Sequence, residues 1–393
     1  MTDMTTFTKV LSKIGLGLLI FATTLLFLIV TGAFWPQLII FGQIGNILVS
    51  FWDLQILIIV LVLAALSGWL LHHRRSKTRM GLLIANVLMV LGSGYLLVNQ
   101  VQTASKYDTT INWGQYLAGH VDNAKPDEKT SVVYGNNGHQ DLKMQVTSPT
   151  TIQKTYKPLV LVHGGGYIAG ARNQQPSWVK YYQSKGYVVF DVDYTLSSST
   201  THAWKQAPTD VANAIAYVQA HQHNYHVDMS KLVIAGSSAG GGIALQTAYG
   251  IADHTLGAKT LPTPKAVIAV YPGSDPYAMW YGKSSLLGME GRICVQDYIG
   301  GSPDQYPERY QDVTPSAHIT KNTPATLIIA GTNDHILPYQ GQSNFAAELK
   351  RSKTPHRLVS LPYSDHFFDM AGGSVGSQIA RKQTTSFLNT YAK

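Results

Sequence analysis

"VIAGSSAGGGIAL", residues 233–245, decides the fold: an apolar run, a corner of glycines and small hydroxyls, then a second apolar run. Gly236-Ser237-Ser238-Ala239-Gly240 matches G-x-S-x-G, with a strand-like segment directly before it and a helix-like segment directly after. In that context a serine is exposed on a sharp turn as a nucleophile. So tight a turn needs small residues two positions either side of its centre, and Gly236 and Gly240 meet the need. Ser238, not Ser237, holds the centre. Its hydroxyl then stands at the C-terminal edge of a sheet, above a helix N-terminus that favours negative charge. A plain strand-to-helix corner can look the same, so the rest of the chain must supply the partners.

Three stretches do so. His163-Gly164-Gly165-Gly166 follows the apolar run "PLVLVH" (158–163), and glycines there let backbone N–H groups turn toward an oxyanion. With the Ala239 amide they form a hole in which each donor is worth roughly 3 kcal/mol in the transition state. "ATLIIAGTNDHILP" (325–338) sets Asp334 just past a strand end, and "RLVSLPYSDHFFD" (357–369) sets His366 just past the last strand. A serine needs a base, and the base an orienting acid. The order Ser, Asp, His along the chain fits that scheme.

Other candidates are weaker. His335 adjoins Asp334 but points elsewhere, and Asp365 and Asp369 flank His366 without an easy path behind its ring. His163 supports the glycine loop. His221, His223 and His226 in "HQHNYH" share no helix face, so no metal site is expected. Asp191 and Asp193 in "FDVDY" make loop hydrogen bonds. The single cysteine, Cys294, fits no disulfide framework or metal spacing and reads as an apolar filler. No cofactor is implied.

From residue 130 onward strands and helices alternate. "SVVYG" and "LKMQVTSP" read as half-buried strands. "PLVLVH", "GYVVFDVDY", "KLVIAG", "KAVIAVYP", "ATLIIAG" and "HRLVSLP" are continuous apolar runs of the kind covered on both faces. The helical patterns between them include "APTDVANAIAYVQAHQ", with Val211, Ile215 and Val218 at helical spacing. This predicts an α/β fold over 130–393: an eight-stranded, mostly parallel sheet with helices on both faces.

The first hundred residues differ. No charged side chain lies between Lys13 and Asp53, and 54–71 and 80–105 are also free of charge. A bilayer-spanning helix takes about 20 apolar residues, so spans are expected at about 14–34, 54–71 and 80–98. The loop "HHRRSKTR" (72–79) holds four Lys/Arg, and such loops stay cytoplasmic. Lys9 and Lys13 place the N-terminus inside as well. Three spans satisfy both; four would put 72–79 outside. Residues 38–52, interrupted by Gly42, Gln43, Gly45 and Asn46, are therefore expected as an external interfacial or re-entrant segment. Residues 1–100 form a transmembrane anchor in the cell membrane, 101–129 a linker, and the domain from 130 lies on the extracellular side. The formal net charge of +8 forms no basic stripe and excludes a nucleic-acid reading. The partner expected for this part of the chain is the bilayer.

Taken in order, "HGGGYIAG" (163–170), "DVDYTLS" (191–197), "HAWKQAPTDVANAIAYV" (202–218), "GSSAGG" (236–241), "GGSPDQYPERYQDVTPSAHI" (300–319), "GTNDHILP" (331–338) and "DHFF" (365–368) resemble the hormone-sensitive-lipase-like branch of the α/β-hydrolase esterases and lipases. The resemblance covers about residues 130–390. It implies Ser238 as nucleophile, Asp334 as acid, His366 as base, and the amides of Gly164, Gly165 and Ala239 as the oxyanion hole. Two positions depart from the branch: Ser237 stands where an acid is usual, and Thr195 where arginine is frequent. The activity implied is ester hydrolysis through an acyl-enzyme, on a small-molecule or cell-surface ester. A peptidase or amidase on the same residues, or an inactive surface binding module, are the alternatives. The connection 272–323 is about the size of helices joining two strands, so no large lid is expected.

Overall fold

The computed structural model describes residues 2–119, 131–257, 259–282 and 284–393. Three long helices come first: α1 (Thr2–Phe34), α2 (Ile39–His73) and α3 (Lys77–Lys106), followed by the short α4 (Trp113–Ala118). The remainder runs β1 (Ser131–Asn136), β2 (Asp141–Thr147), β3 (Lys157–Val162), α5 (Pro176–Ser184), β4 (Tyr187–Val192), α6 (Gln206–Ala220), β5 (Val233–Ser237), α7 (Ala239–Ala252), β6 (Ala266–Val270), α8 (Pro276–Tyr281), β7 (Ser285–Leu286), β8 (Met289–Glu290), α9 (Gly291–Ile299), α10 (Pro307–Val313), β9 (Ala325–Gly331), α11 (Tyr339–Arg351), β10 (His356–Leu361) and α12 (Val375–Tyr391).

Eight strands form one sheet in the order β1-β2-β4-β3-β5-β6-β9-β10. β2 pairs antiparallel with β1 and β4, and every pairing from β4 to β10 is parallel. The apolar runs are continuous because both faces are covered. Val160, Val162 and Ile234 enter one core with α6 and α7, while Leu159, Leu161 and Val233 enter the other with α5 and α12. Successive side chains point to opposite faces of a strand, so a half-polar sequence would leave one of these cores unfilled. Val211, Ile215 and Val218 are fully buried on α6, as their helical spacing requires. The strand order and the placement of helices on both faces are those of the α/β-hydrolase fold.

Three helices in the described residues are long and apolar enough to cross a membrane: Ser12–Phe34, Ile40–His73 and Lys77–Lys106. They are joined by polar side chains at their contacts. The Asn86 amide of α3 donates to Thr23 Oγ1 of α1 at 3.2 Å and to Ser67 Oγ of α2 at 3.0 Å. Residues 38–52 differ from expectation. They do not form a separate segment but open α2, which leaves helical geometry only at Trp52 (φ −138°, ψ 29°). Their small residues serve packing: a Cβ on Gly32 would lie 1.8 Å from Phe41 O, and one on Gly45 2.3 Å from Ile29 O. Only glycine allows α1 and α2 to approach so closely.

Residues 101–119 of the expected linker are ordered against the α/β domain. α3 continues to Lys106, the Tyr107 hydroxyl accepts the Ser360 amide at 3.0 Å, and Tyr116 of α4 is buried. Residues 120–129 lie outside the described residues.

Candidate active site

The elbow is built as its sequence demands. Ser238 sits between β5 and α7 with φ 55° and ψ −126°. That conformation is costly for a non-glycine residue and persists where the surroundings over-determine it. They do so here: the Ser238 amide donates to Val270 O at 2.9 Å, and Ser238 O accepts from Gly242 N and Gly273 N. A Cβ on Gly236 would meet Gly240 O at 2.3 Å, and one on Gly240 would meet His163 O at 2.2 Å. Gly240→Ala must therefore push β3 and α7 apart. The expected cost is about 3 kcal/mol, seen as a fall in Tm of roughly 10 °C in a thermal melt.

Ser238, His366 and Asp334 form one hydrogen-bonded chain. His366 Nε2 lies 2.9 Å from Ser238 Oγ, and His366 Nδ1 lies 2.7 Å from Asp334 Oδ2. The imidazole is fully buried and its partner carboxylate nearly so. Asp334 Oδ1 accepts the amides of Ile336 at 2.9 Å and Leu337 at 2.8 Å, which fixes the carboxylate. The Tyr271 and Phe367 rings each lie 4.4 Å from the imidazole and exclude water around it.

Gly164 and Gly165 border the same cavity as Ser238. A Cβ on Gly164 would lie 3.3 Å from Ser238 Cβ, and one on Gly165, whose φ is 125°, would lie 1.9 Å from Ala169 O. Ala239 opens α7 directly after Ser238. His163 supports this loop: its Nδ1 lies 2.7 Å from Gly164 O, and its ring stacks on Tyr194 at 4.3 Å. Burial holds its pKa below the ordinary value, which disfavours the charged ring.

The other candidates have partners of their own. Asp365 pairs with His335 and Asp369 accepts from Tyr271 and Trp178, so neither lies behind His366. Burial pushes the Asp369 carboxyl up. Asp193 pairs with Arg172, and Asp191 accepts the Asn173 amide, its carboxyl pushed up to about 7 by burial. Ser237 accepts from Gln175 Nε2, and Thr195, in the arginine position, donates to Asp210 from both its amide and its hydroxyl. His221 caps α6 and bonds Tyr217 O. Cys294 is buried, its thiol pushed up to about 11 by desolvation.

Two features leave no local signal in the sequence. The connection between β6 and β9 carries the β7–β8 hairpin, and its Met289 reaches the cavity at Ser238. That cavity measures about 290 Å³ and is lined mainly by apolar groups, among them Ile168, Trp178, Tyr271, Phe367 and Met370. A second, more open cleft of about 680 Å³ lies behind Asp334 and is walled partly by Pro36 and Gln37 of the α1–α2 turn and Gln43 of α2.

Residues 144–349 match the family model BD-FAE, which is more than half of the chain. The chain belongs to the BD-FAE family. Among curated relatives, esterase LipC of Mycobacterium tuberculosis is 28% identical over 257 residues, covering 62% of this chain and 60% of that protein. The probable carboxylic ester hydrolase LipM of the same organism is 24% identical over 289 residues, covering 73% of this chain and 62% of its own. The BD-FAE chain thus spans about three-fifths of the length of these relatives. Among solved structures, apo Thermogutta terrifontis esterase 2 superposes with a TM-score of 0.54 at 23% identity, covering 68% of this chain and 97% of that one. A bacterial heroin esterase superposes with a TM-score of 0.58 at 20% identity, covering 69% and 87%. These superpositions agree on the α/β-hydrolase fold of this BD-FAE member.

Proposed function

We propose that the chain is a membrane-anchored carboxylic-ester hydrolase that works through an acyl-enzyme on Ser238. The observation that carries this reading is the unbroken chain Ser238–His366–Asp334 on the wall of a small, largely apolar cavity. The names of the curated relatives support the same reaction class.

In this reading Ser238 Oγ attacks the acyl carbon while His366 Nε2 takes its proton. Asp334 holds Nδ1–H, fixes the tautomer and stabilises the imidazolium. The negative oxygen of the tetrahedral intermediate is held by the amides of Gly164, Gly165 and Ala239, beside the N-terminus of α7. His366 then protonates the leaving alcohol. Water, activated by the same imidazole, releases the acid and restores Ser238.

α1, α2 and α3 anchor the enzyme in the membrane. The basic loop 72–79 faces the cytoplasm and the hydrolase domain faces outward. A cavity of about 290 Å³ lies at the lower end of ligand-pocket sizes and suits a short acyl group. The test is an acyl series from C2 to C12 on the purified full chain, with an aminoacyl anilide alongside. Turnover is expected to be at least tenfold higher for C2–C4 than for C12, and the anilide slower still. Faster cleavage of the anilide would replace this reading with a peptidase.

A further inference from the structure

The N-terminal hairpin is bonded to the loops that carry the acid and the base. Asn333 Nδ2, next to Asp334, donates to Asn46 Oδ1 of α2 at 2.7 Å. The Asp365 amide, next to His366, donates to Ser50 Oγ of α2 at 3.3 Å. Gln43 of α2 bonds both Ser285 O and Leu287 N of the β7–β8 hairpin. Between them lies His335. Its Nδ1 is 2.6 Å from Asp365 Oδ2, and its Nε2 is 2.8 Å from Pro36 O in the α1–α2 turn. Asp365, fully buried, also accepts the amides of His335 at 3.0 Å and of His366 at 2.7 Å through Oδ1. One carboxylate thus ties the His335 and His366 loops together, and one imidazole ties that carboxylate to the N-terminal hairpin.

A backbone carbonyl only accepts hydrogen bonds, and so does an ionised carboxylate. An imidazole bonded to both at once must carry a proton on each nitrogen. We infer that His335, as the imidazolium, is a positioning residue: it clamps the Pro36 turn of the N-terminal hairpin to Asp365 and so holds the acid and base loops in register. The inference rests on the triad reading above.

The charges around His335 fit this role. Asp365 and, farther off, Asp334 face it from the catalytic loops, with His366 beyond Asp365. The hairpin brings no charged side chain of its own between Lys13 and Asp53. Burial opposes the imidazolium, but the bond to Asp365, its charge and the Pro36 carbonyl outweigh it and raise the pKa above the ordinary value. Burial also pushes the Asp365 carboxyl up, and the His335 bond and charge offset part of that rise. The His335 side chain is 14% exposed, at the cleft of about 680 Å³, so solvent protons reach it. A folded-state pKa above the unfolded value means the clamp is complete below about 6.5 and is lost as the pH rises through the folded value. On that alkaline side one of the two bonds must break.

The test compares the full chain in detergent micelles with His335→Gln and with Asn46→Ala, which lies in α2 and outside the hydrolase core. Hydrogen–deuterium exchange is read in 332–337 and 362–370 at a pH below 6.5, and kcat and KM for a short acyl ester across pH. Both variants are expected to exchange at least fivefold faster in these segments and to lose about tenfold in kcat with KM little changed. The wild type and Asn46→Ala should lose kcat on the alkaline side, while His335→Gln stays flat there. Unchanged exchange in both variants, or an alkaline limb that survives in His335→Gln, overturns the inference. Exchange that responds in a chain hydrolysing no ester would sink the esterase reading and leave the clamp standing.

Discussion

Ser238→Ala is expected to lower kcat for a short acyl ester by about a millionfold while leaving the thermal melt within a few degrees of the parent. In the proposed mechanism the hydroxyl is the atom that forms the covalent bond, so no neighbour can replace it. Ser237 is adjacent in sequence but belongs to β5 and accepts from Gln175, and its hydroxyl has no imidazole beside it among the described residues. The backbone at Ser238 is fixed by its amide donating to Val270 O and its carbonyl accepting from Gly242 N and Gly273 N, none of which involves the side chain. The elbow therefore persists in the variant. Combining Ser238→Ala with His366→Ala should cost no more than either alone, because the members act as a unit. Steady-state kinetics on the two single variants and the double variant check this.

Asp334→Asn should lower kcat by about ten-thousandfold. In the parent, Asp334 Oδ1 takes the amides of Ile336 and Leu337, which leaves Oδ2 to receive His366 Nδ1–H. Asparagine keeps its carbonyl on the two amides and turns its NH₂ toward the ring. Nδ1 must then accept, and the proton moves to Nε2, the nitrogen that has to take the serine proton. The fold should survive, since size and loop bonds are preserved. The measurement is kcat against pH, with the loss expected across the whole range. A loss under tenfold would remove Asp334 from the mechanism.

Much of the hydrolase domain was legible because its signals are local. Continuous apolar runs mark strands with two covered faces, and the small residues of 236–242 mark a sharp strand-to-helix corner. Asp334 and His366 stand out as candidates because each lies in the loop just beyond a strand end, past β9 and β10. The N-terminal hairpin's part in the site was not legible. Gln43, Asn46 and Ser50 look like breaks in an apolar stretch, and only folding shows that they face Ser285, Asn333 and Asp365. Likewise, β7 and β8 have two residues each, too few for an alternating pattern. His335 reads as a bystander of Asp334 until the Asp365 carboxylate and the Pro36 carbonyl appear on its two nitrogens.

The measurement that bears most directly on the central claim is peptide mapping by mass spectrometry after treatment of the full chain with a fluorophosphonate. The account predicts a single adduct on Ser238, formed rapidly in the parent and at least a thousandfold more slowly in His366→Ala. An adduct on Ser237 or elsewhere, or no adduct on correctly folded protein, would contradict it.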